Sequence, residues 1–286
     1  VEESRKIVLG CNFLARRNPR DLESIMTRKS YVQGMFCWNE IGTRDAAGAK
    51  TFYAGLFGWG TKEVPMPGDQ GGTYTLLQVD GEDIAGIFQM DGPMFEGVPP
   101  HWMVYVWADD VDATAARTKE LGGSVKAEPF DVPGVGRMAV CQDPTGAVFS
   151  LFHGTDHPGT SSTTGPGTFC WRELSTRDLD AAGKFYTRLF DWKTKVGTEG
   201  PGKYHEISLE GQKQFGGMRA MDESWGNVPS HWGLYIEVED IEACTAKARE
   251  LGGKLMMPVI GMPRVGRFTT IIDPTGAAVS IIQLDH

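Results

Sequence analysis

Residues 36–42, FCWNEIG, are apolar and β-prone, and they predict a strand. Asp45 then stands at the N-cap of a helix whose Ala49, Phe52, Tyr53, Leu56 and Phe57 fall on one face at helical spacing. Two strands follow near 73–80 and 83–90, joined by the Asp80-Gly81 turn. A second strand–helix unit begins with HWMVYVW at 101–107. It continues as a helix over 110–121 stopped by Gly122-Gly123, a strand near 137–142, the turn DPTG at 143–146 and a strand over 147–153. The pattern of strand, helix and further strands thus occurs twice.

It then occurs twice more. FCWNEIGTRDAAGAKTFYAGLFGW at 36–59 returns as FCWRELSTRDLDAAGKFYTRLFDW at 169–192, an offset of 133 residues. VPPHW…ELGG…VGR…DPTG at 98–146 returns as VPSHW…ELGG…VGR…DPTG at 228–276, an offset of 130 residues. So long a collinear match means two copies of one domain, separated by a three-residue deletion. The second copy predicts elements at 169–175, 178–190, 204–210, 214–221, 231–238, 240–251, 267–272 and 277–284. The expected organisation is a leader over 1–35, a first domain over 36–154, a linker over 155–167 and a second domain over 168–286. The leader is expected to be disordered or weakly helical, with Met26 a candidate translation start. The Gly, Ser, Thr and Pro of the linker predict a flexible, extended connection.

Composition narrows the function classes. The 286 residues are 41% hydrophobic and 23% charged, as in ordinary soluble globular proteins. A net charge of −9 leaves no basic stripe for nucleic acid, and no apolar run reaches membrane-spanning length. The five cysteines (Cys11, Cys37, Cys141, Cys170 and Cys244) form no CxxC pair. They read as small hydrophobes of a reduced cytoplasm. A monomer and a homodimer are equally compatible with the pattern.

The motif TRD…FYxxLFxW, followed by ELGG, VGR and DPTG after a second strand–helix unit, resembles the vicinal oxygen chelate superfamily. That group holds glyoxalase I, the bleomycin-resistance proteins and the extradiol dioxygenases, and the resemblance covers nearly all of 36–284. Within it the chain is similar to an actinobacterial subgroup of two-domain chains. These occur in antibiotic gene clusters, anthracycline clusters included, and some are labelled hydroxylases. The resemblance implies an α+β fold of tandem glyoxalase-like domains. Each would hold two βαβββ modules whose sheets curl into half-barrels, with the ligand in the cup between them.

The family's metal enzymes carry His, Gln or Glu on the first, fourth, fifth and last strands. The resemblance places these positions at Trp38, near Gly86, Met103 and Ser150 in the first copy. In the second they are Trp171, near Gly217, Gly233 and Ser280. An indole nitrogen only donates, and glycine has no side chain, so neither a metal nor another cofactor is expected.

Residues two apart on a strand share a face. If the metal positions face the cup, as the family implies, Trp38 brings Glu40 with it. Met103 brings His101, Tyr105 and Trp107, and Ser150 brings Phe152. In the second copy Trp171 brings Glu173, and Gly233 brings His231 and Tyr235, beside Ser280. Aromatic rings, an adaptable Met and one carboxylate per copy suit a flat aromatic ligand. Plainer roles stand beside these. Trp38 and Trp171 also fit a core. Glu40 and Glu173 also fit a loop brace or a pair with Arg44 and Arg177. His101 and His231, at strand entrances, also fit a backbone hydrogen bond, and Arg137 and Arg267 a brace for the following turn. Trp102 and Trp232 alternate to the opposite face. With Phe52, Tyr53, Leu56, Trp59 and their counterparts Phe185, Tyr186, Leu189 and Trp192, they are expected in the core. DPTG reads as a tight turn without chemistry.

Two functions remain. The first is a metal-free binding protein for a planar aromatic secondary metabolite, a polyketide antibiotic or its intermediate, serving biosynthesis, sequestration or resistance. A partner oxygenase that it assists is a further expectation. The second is a cofactor-independent hydroxylase or isomerase acting on an aromatic polyketide, with Glu40, His101, Glu173 and His231 as acid–base candidates. One cup or both could serve either function.

Overall fold

The computed structural model describes residues 31–66, 71–155, 157, 159–160, 164–197 and 203–285. The expectations for residues 1–30, Met26 among them, lie outside the described residues.

The first copy runs β1 (Phe36–Thr43), α1 (Ala46–Phe57), β2 (Gly60–Pro65), β3 (Thr73–Val79) and β4 (Glu82–Gln89), then β5 (His101–Trp107), α2 (Val111–Glu120), β6 (Ser124–Val132), β7 (Gly136–Gln142) and β8 (Val148–Gly154). Its single sheet has the order β2-β3-β4-β1-β5-β8-β7-β6. Strands β1 and β4 pair in parallel, as do β5 and β8, while β1 and β5 pair antiparallel. Each βαβββ module therefore supplies half the sheet, and β1 and β5 form the join.

The second copy repeats this with β9 (Phe169–Thr176), α3 (Leu179–Phe190), β10 (Lys193–Val196), β11 (Tyr204–Ser208), β12 (Gly216–Ala220), β13 (His231–Glu237), α4 (Ile241–Glu250), β14 (Lys254–Leu255), β15 (Ile260–Met262), β16 (Gly266–Ile272) and β17 (Ala278–Leu284). Its sheet order is β10-β11-β12-β9-β13-β17-β16-β14, with β15 also on β16. Strands β2, β6, β10, β14 and β15 are additions to the elements the sequence pattern predicts. Most of their positions are exposed or half-buried, which leaves little hydrophobic signal to read.

Each helix starts at an aspartate whose carboxylate accepts a backbone N–H of the first turn. Asp45, Asp110, Asp178 and Asp240 cap α1, α2, α3 and α4 in turn. The apolar faces of α1 and α3 bury Phe52 and Tyr53, and Phe185 and Tyr186. These faces join one core that both copies share, α1 touching α4 and α2 touching α3. Trp59 of the first copy donates to the Gly167 carbonyl at the head of the second, 2.8 Å away. Trp192 of the second returns the bond to the Gly34 carbonyl, also at 2.8 Å.

Two segments pack more tightly than their composition suggests. Residues 31–35, expected to belong to a disordered leader, dock on the first domain. The Tyr31 ring stacks on Trp107, and backbone bonds join Gly34 and Met35 to Trp107. The linker, expected to be flexible and extended, is anchored at Thr160. Its N–H donates to the Cys37 carbonyl at 2.8 Å and its hydroxyl to the Ile84 carbonyl at 3.4 Å. Unpaired strand groups at the edge of a β1–β4 ladder that begins only at Glu40 are the physical reason. No helix among the described residues is long and apolar enough to cross a membrane.

Candidate functional site

The register of β4, β1, β5 and β8 assembles the first cup. Glu40 lies opposite both Gly86 and Met103, Trp38 lies opposite Tyr105, and Tyr105 lies opposite Ser150. Trp38, Glu40, His101, Met103, Tyr105, Ser150 and Phe152 therefore line one cavity wall. The second copy presents Trp171, Glu173, His231, Gly233, Tyr235 and Ser280 in the same way. The cavity takes in both cups and measures about 3080 Å³. One small-molecule pocket measures roughly 300–1,000 Å³, so this space exceeds a single ligand. Trp107, expected on the same face, is not part of the wall. It is covered by Tyr31, and its indole N–H turns to Asp109.

At the centre of each cup is a carboxylate held by phenols. The Tyr74 hydroxyl donates to Glu40 Oε2 at 2.6 Å and the Tyr105 hydroxyl to Oε1 at 2.8 Å. The Trp38 indole donates to the Tyr74 oxygen at 3.1 Å. In the second cup Trp171 donates to the Tyr204 oxygen at 2.8 Å and Tyr235 to Glu173 at 3.1 Å. Arg219 adds an ion pair with Glu173 at 3.6 Å. Burial pushes the Glu40 carboxyl above its ordinary value, while Tyr74 and Tyr105 pull it back. Burial does the same to Glu173, opposed chiefly by Arg219. The phenols are held un-ionised, Tyr74 and Tyr105 well above the ordinary value, by burial and then by the Glu40 charge.

Several side chains take the plainer role. His101 and His231 place Nδ1 on the Pro99 and Pro229 carbonyls, at 2.8 and 2.9 Å. Arg44 and Arg177 do not reach the glutamates. They clamp loop carbonyls, at Phe95 and Val98 in one copy and at Asp222, Gly226 and Val228 in the other. Arg137 ties β7 to Asp112 and Asp131, and Arg267 ties β16 to Glu242. Trp102 and Trp232 are core residues donating to Tyr53 and Tyr186.

Tyr74, Tyr204, Arg219 and His157 are cup residues that the pattern of the strands does not single out. A signal for the tyrosines exists in the repeat: Tyr74 with Gly86 recurs as Tyr204 with Gly217. The reason is steric. A Cβ at Gly86 would overlap the Tyr74 hydroxyl, and one at Gly217 would overlap the Tyr204 hydroxyl. Each phenol occupies the volume of the missing fourth-strand side chain.

This arrangement does not fit the divalent ion that the family's metal enzymes hold. The four positions carry an indole, a glycine covered by a phenol, a thioether or a second glycine, and a serine. Such a set lacks the imidazole and carboxylate donors a divalent ion requires. The Ser150 hydroxyl is buried beside Tyr105, and Ser280 is bonded to Thr270 at 2.9 Å. Among the described residues no three His, Cys, Asp or Glu side chains come together.

The family model for the Glyoxalase/Bleomycin resistance protein/Dioxygenase superfamily matches residues 36–151 and again 168–281. The chain belongs to that superfamily. Within the superfamily it is 36% identical over 256 residues to CFP32 of Mycobacterium tuberculosis, a protein named as a glyoxylase; the match covers 90% of this chain and 97% of that one. It is 34% identical over 275 residues to the anthracycline biosynthesis protein DauV of Streptomyces sp. strain C5, covering 91% and 96%. Solved superfamily structures share the fold at low identity. The 2,3-dioxygenase LapB of Pseudomonas sp. KL28 has a TM-score of 0.61 and 11% identity, over 90% of this chain and 94% of that one. The Mn(II)-bound glyoxalase of Novosphingobium aromaticivorans has a TM-score of 0.58 and 16% identity, over 88% and 83%.

Proposed function

We propose that the protein is a metal-free binding protein for a planar aromatic secondary metabolite of the polyketide class, serving antibiotic biosynthesis, sequestration or resistance. One observation carries the reading: an indole and a phenol-covered glycine stand at positions where the resemblance places metal ligands, beside a tyrosine–glutamate network at the centre of each cup. Flat apolar walls with a few fixed polar groups suit a polycyclic ligand that stacks on an indole and hydrogen-bonds at one edge. The names of DauV and of DnrV of Streptomyces peucetius, both anthracycline biosynthesis proteins, support a ligand of that chemistry. A partner oxygenase that works on the held compound is part of the proposal. So is a cytoplasmic setting, which the four free described cysteines support.

The test is a tryptophan-fluorescence titration with anthracyclines and simpler aromatic polyketides, beside elemental analysis of the purified protein. Saturable binding that survives a chelator is expected. One tightly held Fe, Ni or Zn per copy would overturn the metal-free reading. The raised carboxyl groups of Glu40 and Glu173 favour a second reading, acid–base catalysis by a cofactor-independent hydroxylase or isomerase. Turnover of an aromatic substrate by the protein alone would replace the first reading with this one.

A further inference from the structure

The two cups, alike in fold, differ in three places. In the first, the linker residue His157 lies edge-on against Trp38 with ring centroids 4.5 Å apart, and it also meets Phe152 at 6.2 Å. Trp38 is left only 5% exposed, whereas Trp171 is half-buried. Met103 packs against the same cluster, while the corresponding Gly233 leaves its place open: an added Cβ there would meet only the Glu173 carbonyl, at 3.7 Å. Finally, Phe88 and Phe95 pair in the first copy where the second has Arg219 over the Trp225 ring, at 5.0 Å.

We propose that each chain binds one ligand, in the second cup, and that the Arg219–Glu173 pair selects an aromatic edge carrying a carbonyl beside a hydroxyl. This rests on the aromatic-binding reading above and specifies its site and ligand class. The guanidinium offers N–H donors and the carboxylate an acceptor, side by side on the wall. That matches a ring carbonyl accepting next to a phenol donating. A carboxylate ligand is disfavoured, because Glu173 already pairs with Arg219 and would repel a second carboxylate. In the first cup the chain's own His157 and Met103 take up part of the space, covering Trp38 and packing on its cluster, so the second cup is the more open of the two.

The probes are chrysazin, an anthraquinone with two hydroxyls beside one carbonyl, and unsubstituted anthraquinone. Binding to the full chain is followed by equilibrium dialysis and calorimetry, with each variant's fold checked by circular dichroism. Chrysazin should bind once per chain and about tenfold more tightly than anthraquinone, the order expected for an edge hydrogen bond to a charged group. Gly233→Met, which copies the first cup's residue at a position with ordinary backbone, should weaken chrysazin at least about tenfold. Arg219→Phe should remove the preference between the two compounds. The His157→Ala/Met103→Gly double variant should bind a second equivalent. Two equivalents on the parent, or full-strength binding by Gly233→Met, would refute the single-cup assignment and leave the binding function standing. A preference that survives Arg219→Phe would refute the edge selection. If neither quinone binds, the aromatic-binding reading and this inference fall together.

Discussion

The Tyr53 hydroxyl of the first copy donates to Asp273 Oδ2, in the DPTG turn of the second copy, at 2.9 Å. Tyr186 returns the bond to Asp143 at 3.0 Å. Each aspartate gives its other oxygen to the N–H groups of its own turn. Each tyrosine in turn accepts an indole N–H, from Trp102 or Trp232. DPTG is thus more than the tight turn its sequence suggests. It is a buried acceptor that locks one copy to the other. Tyr53→Phe strips a hydrogen bond from a buried carboxylate and orphans the Trp102 N–H. A loss of about 1.5–3 kcal/mol is expected, the range for bonds to charged groups. Chemical denaturation should show one transition shifted as a whole. A two-step curve with only the first step moved would mean that the copies fold independently.

Gly86 is required by its neighbour. Gly86→Ala should cost about 1–3 kcal/mol, the usual penalty for overpacking. In a Tyr74→Leu background the same change should cost less, because the colliding hydroxyl is gone. A double-mutant cycle in thermal or denaturant melts reads the coupling, expected at about 0.5–3 kcal/mol for touching residues. Strict additivity would show that the glycine serves some other purpose.

The Glu40 carboxyl sits above its ordinary value of 4.5 because burial disfavours its charge. The folded state therefore binds this proton more tightly than the unfolded state does. The resulting stabilisation is fully present below the unfolded value and is lost as pH rises through the folded one. Relative to Glu40→Gln, the parent should lose stability as pH rises from about 4.5 through that raised value, then level off. Melting temperatures of the two proteins across this range give the difference directly. A gap that widens in the parent's favour with rising pH would reverse the sign and place a stabilising cation near Glu40.

Trp171→Ala removes the half-exposed indole of the second cup. The loss of a stacking aromatic is expected to cost about 1–3 kcal/mol of ligand binding, roughly tenfold to a hundredfold in affinity. Trp102→Ala serves as the core control, since its indole is bonded to Tyr53 inside the shared core. That variant should lower the melting temperature more than Trp171→Ala does. If folded Trp171→Ala binds every tested polyketide as the parent does, the second cup is not the site.

Much of this protein is legible in its sequence. The duplicated motifs define two copies, the period-two strands and Asp-capped helices define the modules, and strand alternation puts Trp38 with Glu40 and Trp171 with Glu173. A period and a cap each need only a few consecutive residues, and the repeat needs only the chain compared with itself. What fills the metal positions was decided elsewhere. Tyr74 is 12 residues from Gly86 in the chain, and only the β3–β4 pairing lays its phenol over the glycine. His157 reaches Trp38 because Thr160 pins the linker beside β1 and β4, an anchoring invisible in a Gly- and Ser-rich segment. Asp143 and Asp273 become acceptors for the opposite copy only once the two helix faces meet. Composition and period record which face of an element is buried; which partner fills that face depends on chain closure over many tens of residues, and that is a property of the folded whole.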